Sequence, residues 1–241
     1  MNKMFEHSAI PPELWRRLDA LDASVARLAV FDADGTLWRG DLAEAHLEYV
    51  GEAGILPAPE GHATPFAAYV AACAHDVDQG YRLGVKLMAR LEEAVLVATC
   101  EDAWRAHTPN VHQPVIAALR ALEARGYSTW IVSASHRWAI EAAARSLKLS
   151  PNRIVTGDLT VEDGRLTDVL REPYPNGPGK VAAIQAHITT HRPAIAFGNS
   201  VHDAPMLDHA HIGVLIADRT QPLPTPLADH ARTSDWIVWT P

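Results

Sequence analysis

The sequence predicts an α/β fold: a Rossmann-like parallel sheet core with helices on both faces and an inserted helical cap. Short apolar runs recur along the 241 residues, and helical patterns separate most of them. Strands that alternate with helices in this way form parallel sheets. Roughly a hundred residues lie between the first run and the second, which is far more than one crossover connection needs and indicates an insertion.

The predicted strands are compact apolar runs, as expected for strands buried on both faces of a parallel sheet. The first is Leu28 to Phe31, and it ends at a polar cluster. Further runs of the same kind lie at 129–132, 194–197, 212–216 and 236–239, with a shorter one at 153–155. The Asp163-Gly164 pair between apolar residues predicts a β-hairpin over 158–170.

Helical patterns lie at 11–21, 113–125, 137–149 and 180–190. In the second of these, Val115, Leu119 and Leu122 form an apolar face, and Gly126 is a suitable helix end. Because strands alternate with these helices, we expect helices to cover both faces of the sheet.

Most of the long insertion also has a helical pattern. Residues 42–53 predict one helix, 56–65 is a proline-rich break, and 66–106 is largely helical. In that last segment Leu83, Leu87, Leu91 and Val95 are spaced as one apolar stripe. Arg82, Lys86 and Arg90 form one basic stripe, which a solvated face explains better than a substrate-binding face. We therefore assign residues 41–110 to a cap, and residues 1–40 and 111–241 to the core.

Composition excludes several classes of protein. Hydrophobic residues make up 48% of the chain, enough for a sizeable core, and the net charge of −8 argues against a nucleic-acid partner. An acidic protein that handles phosphate needs positive charge concentrated locally, and a bound metal supplies it.

The cysteines and the apolar runs bear on the compartment of the protein. Cys73 and Cys100 form no C-x-x-C pair and are expected to be buried thiols in a reducing compartment. Residues 1–12 lack a long apolar run, so we expect no signal peptide. No stretch approaches the ~18 apolar residues of a membrane span, and we expect a cytoplasmic protein without membrane contact.

Open parallel sheets bind ligands beyond the carboxyl ends of their strands, where the first candidate residues lie. Asp32 and Asp34 follow the first strand, and their i, i+2 spacing lets the two carboxylates converge. Gly35 and Thr36 allow a turn that exposes backbone N–H groups to a phosphate. A D-x-D pair is also common in solvated turns and helix caps.

Three more polar groups follow later elements. Ser133 comes after the second strand, although a strand-end hydroxyl or helix cap also explains it. Lys180 begins a helix, at the end where the dipole disfavours a cation, so a nearby anion explains it better. Asn199 and Asp203 follow the strand that ends at Phe197, and Asp203 caps the next helix equally well.

Together and in this order, these groups resemble the haloacid dehalogenase superfamily. The resemblance is to its phosphatases, above all the phosphoserine phosphatase-like enzymes with a helical cap after the first strand. It covers nearly the whole chain. The most specific segments are Asp32-Ala33-Asp34-Gly35-Thr36-Leu37 and Gly198-Asn199-Ser200-x-x-Asp203-x-Pro205-Met206-Leu207.

The resemblance implies a Mg²⁺-dependent phosphatase acting on a small phosphorylated metabolite. Asp32 would be the nucleophile that forms an aspartyl-phosphate, and Asp34 the general acid and base. Ser133 and Lys180 would hold the transferring phosphoryl group.

The resemblance also implies a metal site and one contact to the substrate. Asp32, the backbone carbonyl of Asp34 and Asn199 would bind Mg²⁺, with Asp203 in or near the set of ligands. Asp41 would recognise a substrate amino group, although a polar hinge explains it equally well.

Two departures from the family pattern leave alternatives open. Asn199 often is an aspartate in the family, so Mg²⁺ should bind more weakly here. Ser133-Ala134-Ser135 replaces a serine and a glycine pair, so phosphoserine is not assured as the substrate. A phosphotransferase or mutase on the same scaffold is one alternative. A catalytically weak binding or regulatory module, suggested by Asn199, is another. The sequence indicates neither the substrate nor the oligomeric state.

Overall fold

The computed structural model describes residues 10–241. The expectation of no signal peptide depends largely on residues 1–9, which lie outside the described residues. Between residues 10 and 241, no helix has the length and apolar character needed to cross a membrane. The cytoplasmic location stays a prediction.

A six-stranded parallel sheet, in the order β3-β2-β1-β6-β7-β8, forms the centre of the molecule. Its strands are β1 (Leu28–Phe31), β2 (Ser128–His136), β3 (Ile154–Gly157), β6 (Ile195–Gly198), β7 (Ile212–Ile216) and β8 (Ile237–Trp239). β4 (Leu159–Glu162) and β5 (Arg165–Leu170) form the predicted hairpin. In the central register, Phe31 pairs with Ile131 on one side and Phe197 on the other. The predicted α/β fold is confirmed.

Helices cover both faces of this sheet. In chain order they are α1 (Pro12–Asp19), α2 (Leu42–Glu52), α3 (Pro65–His75), α4 (Val77–Lys86), α5 (Glu93–His107), α6 (Gln113–Ala124), α7 (Arg137–Ser146), α8 (Pro178–His187), α9 (Ala204–His209) and α10 (Thr225–Thr233). Alternate residues of β1 enter different apolar clusters: Ala29 and Phe31 join one, Leu28 and Val30 the other. This is why the strand is apolar at every position.

The helices α2 to α5, here called the cap helices, all lie between β1 and β2 in the chain. The boundaries of the cap, 41–110, and of the core, 1–40 and 111–241, stay predictions. Cys100 is buried as expected, whereas Cys73 is only half-buried, and both thiols are free.

The prediction of one apolar stripe through Leu83, Leu87, Leu91 and Val95 is wrong. α4 ends at Lys86, and α5 begins only at Glu93. The backbone between them pairs with the hairpin instead: the Arg90 N–H donates to the Leu166 carbonyl at 2.7 Å, and the Leu166 N–H donates to the Leu91 carbonyl at 3.0 Å. Because these groups bond to a distant strand, they cannot continue a helix.

The basic stripe of Arg82, Lys86 and Arg90 is wrong for the same reason. Arg90 lies beyond the end of α4, with a φ of 71°. Arg82 is not merely solvated, because it pairs with Asp78 at 2.7 Å and with Glu172. Its guanidinium group also lies 4.8 Å from the centre of the Tyr174 ring.

β2 is longer than the predicted 129–132, and Ser133 lies inside it rather than after it. The extension pairs with β3, with Ser133 opposite Thr156 and His136 opposite Gly157. The chain from Ser133 to His136 therefore runs past the end of β1, beside Asp32 and Asp34.

Candidate active site

Asp32 follows the last residue of β1, and the structure fixes its carboxylate from two sides. Its backbone N–H donates to the Phe197 carbonyl on β6 at 2.8 Å. The Nζ of Lys180 donates to Oδ1 at 2.6 Å, and the hydroxyl of Thr36 donates to Oδ2 at 3.0 Å. Burial raises the pKa of Asp32 to about 7, assisted by the charge of Asp203 and opposed by Lys180.

Lys180 is a buried cation held by three acceptors. Its Nζ donates to Asp32 Oδ1 and Asp203 Oδ1, each at 2.6 Å, and to the Val132 carbonyl at 3.0 Å. Burial by itself lowers the pKa of Lys180, but the carboxylates of Asp203 and Asp32 outweigh it, so the pKa is raised. The anion expected beside this lysine is therefore a pair of carboxylates belonging to the chain itself.

Asp203 has both carboxylate oxygens occupied. While Oδ1 accepts from Lys180, Oδ2 accepts from the backbone N–H groups of Asn199 and Ser200 at 2.9 Å and from the Ser200 hydroxyl at 3.0 Å. Burial raises the pKa of Asp203, but Lys180 and these donors outweigh it and lower the pKa. Asp203 thus holds both Lys180 and the loop that carries Asn199.

Asp34 accepts hydrogen bonds from residues that follow it in the chain and from Ser135 on β2. Oδ1 accepts from the Trp38 indole N–H and the Leu42 backbone N–H, each at 2.7 Å, and Oδ2 accepts from the Ser135 hydroxyl at 2.6 Å. Burial raises the pKa of Asp34, and these hydrogen bonds oppose the increase. Ser135 is not among the residues predicted from sequence, although its i+2 spacing from Ser133 in one strand places both on one face.

Three oxygen atoms of this site fit a magnesium ion. Asn199 Oδ1 lies 3.2 Å from Asp32 Oδ2 and 2.9 Å from the backbone oxygen of Asp34. Neighbouring ligands of an octahedral Mg²⁺, at about 2.1 Å from the ion, are about 3.0 Å apart. Without a cation, the amide would turn its nitrogen towards these oxygens. The set of ligands and its spacing therefore suit Mg²⁺.

Gly35 allows this close approach of the two loops. Its φ is +75°, and a Cβ built on it would lie 2.1 Å from the Asn199 amide nitrogen. A side chain at position 35 would therefore displace Asn199 from Asp32. Thr36 is fully buried beside it and also contacts Asn199 Oδ1, at 3.2 Å.

Two further predicted residues complete the site. Ser133 is 2% exposed, and its oxygen accepts from the Ser135 N–H at 3.2 Å, which leaves the hydroxyl proton for another acceptor. Asp41 immediately precedes α2 and caps it, because its Oδ1 accepts from the Glu44 N–H at 2.9 Å. Burial raises the pKa of Asp41 well above its ordinary value, and the charges of Asp34 and Glu44 add to the increase.

A cavity of about 470 Å³ lies at this site. All the predicted site residues except Thr36 line it. We call one side of the cavity the floor; it consists of Asp32, Asp34, Ser133, Lys180, Asn199 and Asp203. We call the side formed by the cap helices and the residue before them the wall; it comprises Asp41, Glu44, Tyr69 and Tyr81. Glu44 and the two tyrosines are not among the residues predicted from sequence.

The model of the haloacid dehalogenase-like hydrolases matches residues 29–208, which include every residue of the floor. The chain belongs to this family. The predicted resemblance, including the likeness to phosphoserine phosphatases, is confirmed. Phosphoserine phosphatase SerB2 of Mycobacterium tuberculosis (strain ATCC 25618 / H37Rv) is 27% identical over 218 residues, which are 88% of this chain and 48% of that protein. The chain thus spans about half the length of this curated relative.

Solved structures share the fold. A protein of unknown function from Bordetella pertussis Tohama I superposes with a TM-score of 0.76 at 20% identity, over 89% of this chain and 98% of that one. A substrate-bound phosphoserine phosphatase superposes with a TM-score of 0.57 at 18% identity, over 88% and 92% of the two chains. At these identities the likeness concerns the fold alone.

Proposed function

We propose that the chain is a Mg²⁺-dependent phosphatase that hydrolyses a small phosphomonoester through an aspartyl-phosphate on Asp32. The observation that carries the proposal is the arrangement around this carboxylate. Lys180 holds one of its oxygens at 2.6 Å, while the other lies 3.2 Å from Asn199 Oδ1 in an all-oxygen set. Such an environment suits a carboxylate that attacks a phosphate dianion.

In the first half-reaction, Asp32 forms a bond to phosphorus while the bond from phosphorus to the ester oxygen breaks. Asp34 gives its proton to the departing oxygen, a role supported by burial, which raises its pKa and favours the protonated acid. The hydroxyl of Ser133 and the Nζ of Lys180 stabilise charge on the transferring oxygens.

In the second half-reaction, ionised Asp34 takes a proton from water as the water oxygen attacks phosphorus. The bond from phosphorus to Asp32 breaks, phosphate leaves, and both carboxyl groups return to their starting states.

Asp32, the backbone oxygen of Asp34 and Asn199 would hold the metal. When bound, Mg²⁺ neutralises charge on the phosphate so that an anionic nucleophile can approach it. Asp203 was predicted in or near this set of ligands, but its described hydrogen bonds run to Lys180 and to the Asn199 and Ser200 N–H groups. We propose that Asp203 instead positions Lys180 and the Asn199 loop.

Turnover of p-nitrophenyl phosphate with and without Mg²⁺ tests this function. We expect hydrolysis by the wild type only with Mg²⁺, and a loss of at least about 10³-fold in Asp32→Asn. Asp168→Asn, an exposed aspartate on β5, is the matched control and should retain activity. Added alcohol acceptors should remain unphosphorylated, which separates hydrolysis from phosphoryl transfer. Absence of wild-type turnover at every Mg²⁺ concentration would refute the proposal.

A further inference from the structure

A second group of side chains with metal-binding atoms lies where the cap helices meet the core. His46 is on α2, Cys100 is on α5, and His136 is the last residue of β2. The sulfur of Cys100 and one ring nitrogen of each histidine all lie within 4.8 Å of one another. All three residues are buried. Three separate elements thus bring together two imidazoles and a thiol.

The hydrogen bonds of His46 fix which of its nitrogens carries the proton. Thr99 donates its hydroxyl proton to backbone carbonyls of its own helix, at 3.0 and 3.1 Å. Its oxygen therefore accepts from the Nε2–H of His46 at 2.9 Å, and the lone pair of this ring lies on Nδ1. A hydrogen bond to the far nitrogen is what orients a metal-binding histidine and fixes its tautomer.

Two ring nitrogens of the group have no hydrogen-bond partner among the described residues. They are His46 Nδ1 and His136 Nε2, and both atoms are buried. A buried polar atom without a partner destabilises a fold, so native structures rarely contain one without a further role. Because both histidines also lie beside the thiol of Cys100, a single bound cation would satisfy both nitrogens.

We propose that His46 Nδ1, His136 Nε2 and Cys100 Sγ bind a Zn²⁺ ion that joins the cap helices α2 and α5 to the end of β2. Imidazole and thiolate are ligands of Zn²⁺, whereas Mg²⁺ selects oxygen. Tetrahedral Zn²⁺ holds such ligands about 3.3–3.6 Å apart, so small side-chain movements close the group around the ion. His136 also lines the cavity, which provides an entry path and a water molecule as the fourth ligand.

Binding of the ion displaces one proton and moves another. Burial lowers the pKa values of His46 and His136, so both imidazoles are neutral, the form that binds metal. His136 Nδ1 accepts from the Ala139 N–H at 3.3 Å, which puts the ring proton on Nε2; it moves to Nδ1 on binding, and this long hydrogen bond is lost. Burial raises the pKa of the Cys100 thiol, but a bound Zn²⁺ displaces that proton to solvent.

The absorbance of bound Co²⁺, a stand-in for Zn²⁺, tests the thiolate ligand. A thiolate bonded to Co²⁺ gives a charge-transfer band that oxygen ligands do not give. Reduced, metal-free protein is titrated with Co²⁺ in excess Mg²⁺, which fills the proposed site at Asp32. We expect the band in the wild type and in Cys73→Ser but not in Cys100→Ala, and Zn²⁺ should remove it. Absence of the band from the wild type, or its persistence in Cys100→Ala, would overturn the proposal.

Thermal unfolding tests the histidine ligands. Zn²⁺ that binds the folded chain should raise the Tm of the wild type by about 5 °C or more at a hundredfold excess over its Kd. His46→Gln retains a donor for Thr99 but lacks the ligand, so we expect Zn²⁺ to bind at least about tenfold more weakly. His187→Gln, at an exposed position, is the matched control and should bind Zn²⁺ as the wild type does.

Circular dichroism of each variant shows that it is folded before its Zn²⁺ affinity is compared. If a buried water molecule satisfies the two nitrogens instead, Zn²⁺ leaves the Tm of the wild type unchanged, and the proposal fails. Equal Zn²⁺ affinities of the wild type and His46→Gln would also contradict it. Neither result depends on whether the protein hydrolyses a phosphomonoester.

Discussion

On the floor of the cavity, the carboxylates of Asp32 and Asp203 share the ammonium group of Lys180 at 2.6 Å each. On the wall, Asp41 accepts from the Glu44 backbone, Glu44 accepts from the Tyr69 hydroxyl, and the rings of Tyr69 and Tyr81 stack. Two of the three carboxylates of the floor thus have a cationic partner within the chain, whereas Asp34 is held by uncharged donors. On the wall, neither Asp41 nor Glu44 forms an ion pair with a described residue.

Removal of Lys180 should have the largest effect, because the floor depends on this cation. In Lys180→Met, two buried carboxylates lose their shared partner, and we expect a loss of about 3–5 kcal/mol in the free energy of unfolding. Hydrolysis of p-nitrophenyl phosphate should fall by at least about 10³-fold. Urea denaturation measures the first effect. A change below about 1 kcal/mol would show that the floor carries no such pairing.

Asp34→Asn tests the chemistry of the floor. The variant retains an acceptor for Trp38 and Leu42, so the fold should remain intact. Turnover of an alkyl phosphate should fall by about 10²–10⁴-fold, since its alkoxide leaving group needs a proton. The rate of phosphoenzyme formation should decrease less for p-nitrophenyl phosphate than for an alkyl phosphate, because the p-nitrophenol leaving group is more acidic and needs no proton. Equal decreases in this step for both substrates would exclude Asp34 as the general acid.

A buried pair of histidines between the cap helices and the core should make the stability of the metal-free protein depend on pH. His46 on α2 is buried against His136 at the end of β2, with ring centres 5.0 Å apart. Burial lowers the pKa of His46 from 6.5 to about 4. The unfolded chain therefore binds more protons than the folded chain in this interval, and the stability falls as the pH is lowered from about 6.5 to about 4.

His46→Gln should reduce this loss of stability by up to about 3 kcal/mol. The amide nitrogen of glutamine replaces the Nε2 donor that faces Thr99 at 2.9 Å in the wild type. His187→Gln, at an exposed position, should leave the pH dependence unchanged. Unfolding measured at several pH values gives the slopes, and identical slopes for the wild type and His46→Gln would contradict the prediction.

Asn199→Asp tests the charge of the metal site. The substitution adds a negative charge beside Asp32 Oδ2, so the Mg²⁺ concentration for half-maximal activity should fall by about tenfold. Without Mg²⁺ the same charge repels Asp32, and the free energy of unfolding should decrease. An unchanged Mg²⁺ requirement would place the ion elsewhere.

The smallest effect is expected for a substitution on the wall. There the free energy of unfolding should not decrease, in contrast to Lys180→Met on the floor. Glu44→Gln keeps the acceptor for Tyr69 and removes repulsion with Asp41, so the free energy of unfolding should stay constant or rise by up to about 1 kcal/mol. Glu48→Gln, at an exposed position of the same helix, gives the baseline in the same urea measurement. A loss above about 1 kcal/mol would mean that this carboxylate supports the fold, as on the floor.

Most of the floor could be predicted from sequence because Asp32, Asp34, Asn199 and Asp203 follow the ends of recognisable strands. Ser135 was missed because β2 continues beyond its apolar run, through pairing with β3. The break after Lys86 depends on hydrogen bonds to Leu166, almost eighty residues away in the chain. Glu44, Tyr69 and Tyr81 come together only when three cap helices pack, and periodicity does not reveal which side chains then face a cavity.

The most direct test of the central claim is to identify the atom that receives the phosphoryl group. The Asp34→Asn variant can be mixed with p-nitrophenyl phosphate and Mg²⁺, quenched in acid and analysed by peptide mass spectrometry. Loss of the base that activates water should let the intermediate accumulate. We predict one phosphoryl group on the peptide that contains Asp32, removable by hydroxylamine. A phosphoryl group on Ser133, or turnover with no phosphorylated peptide, would contradict the account.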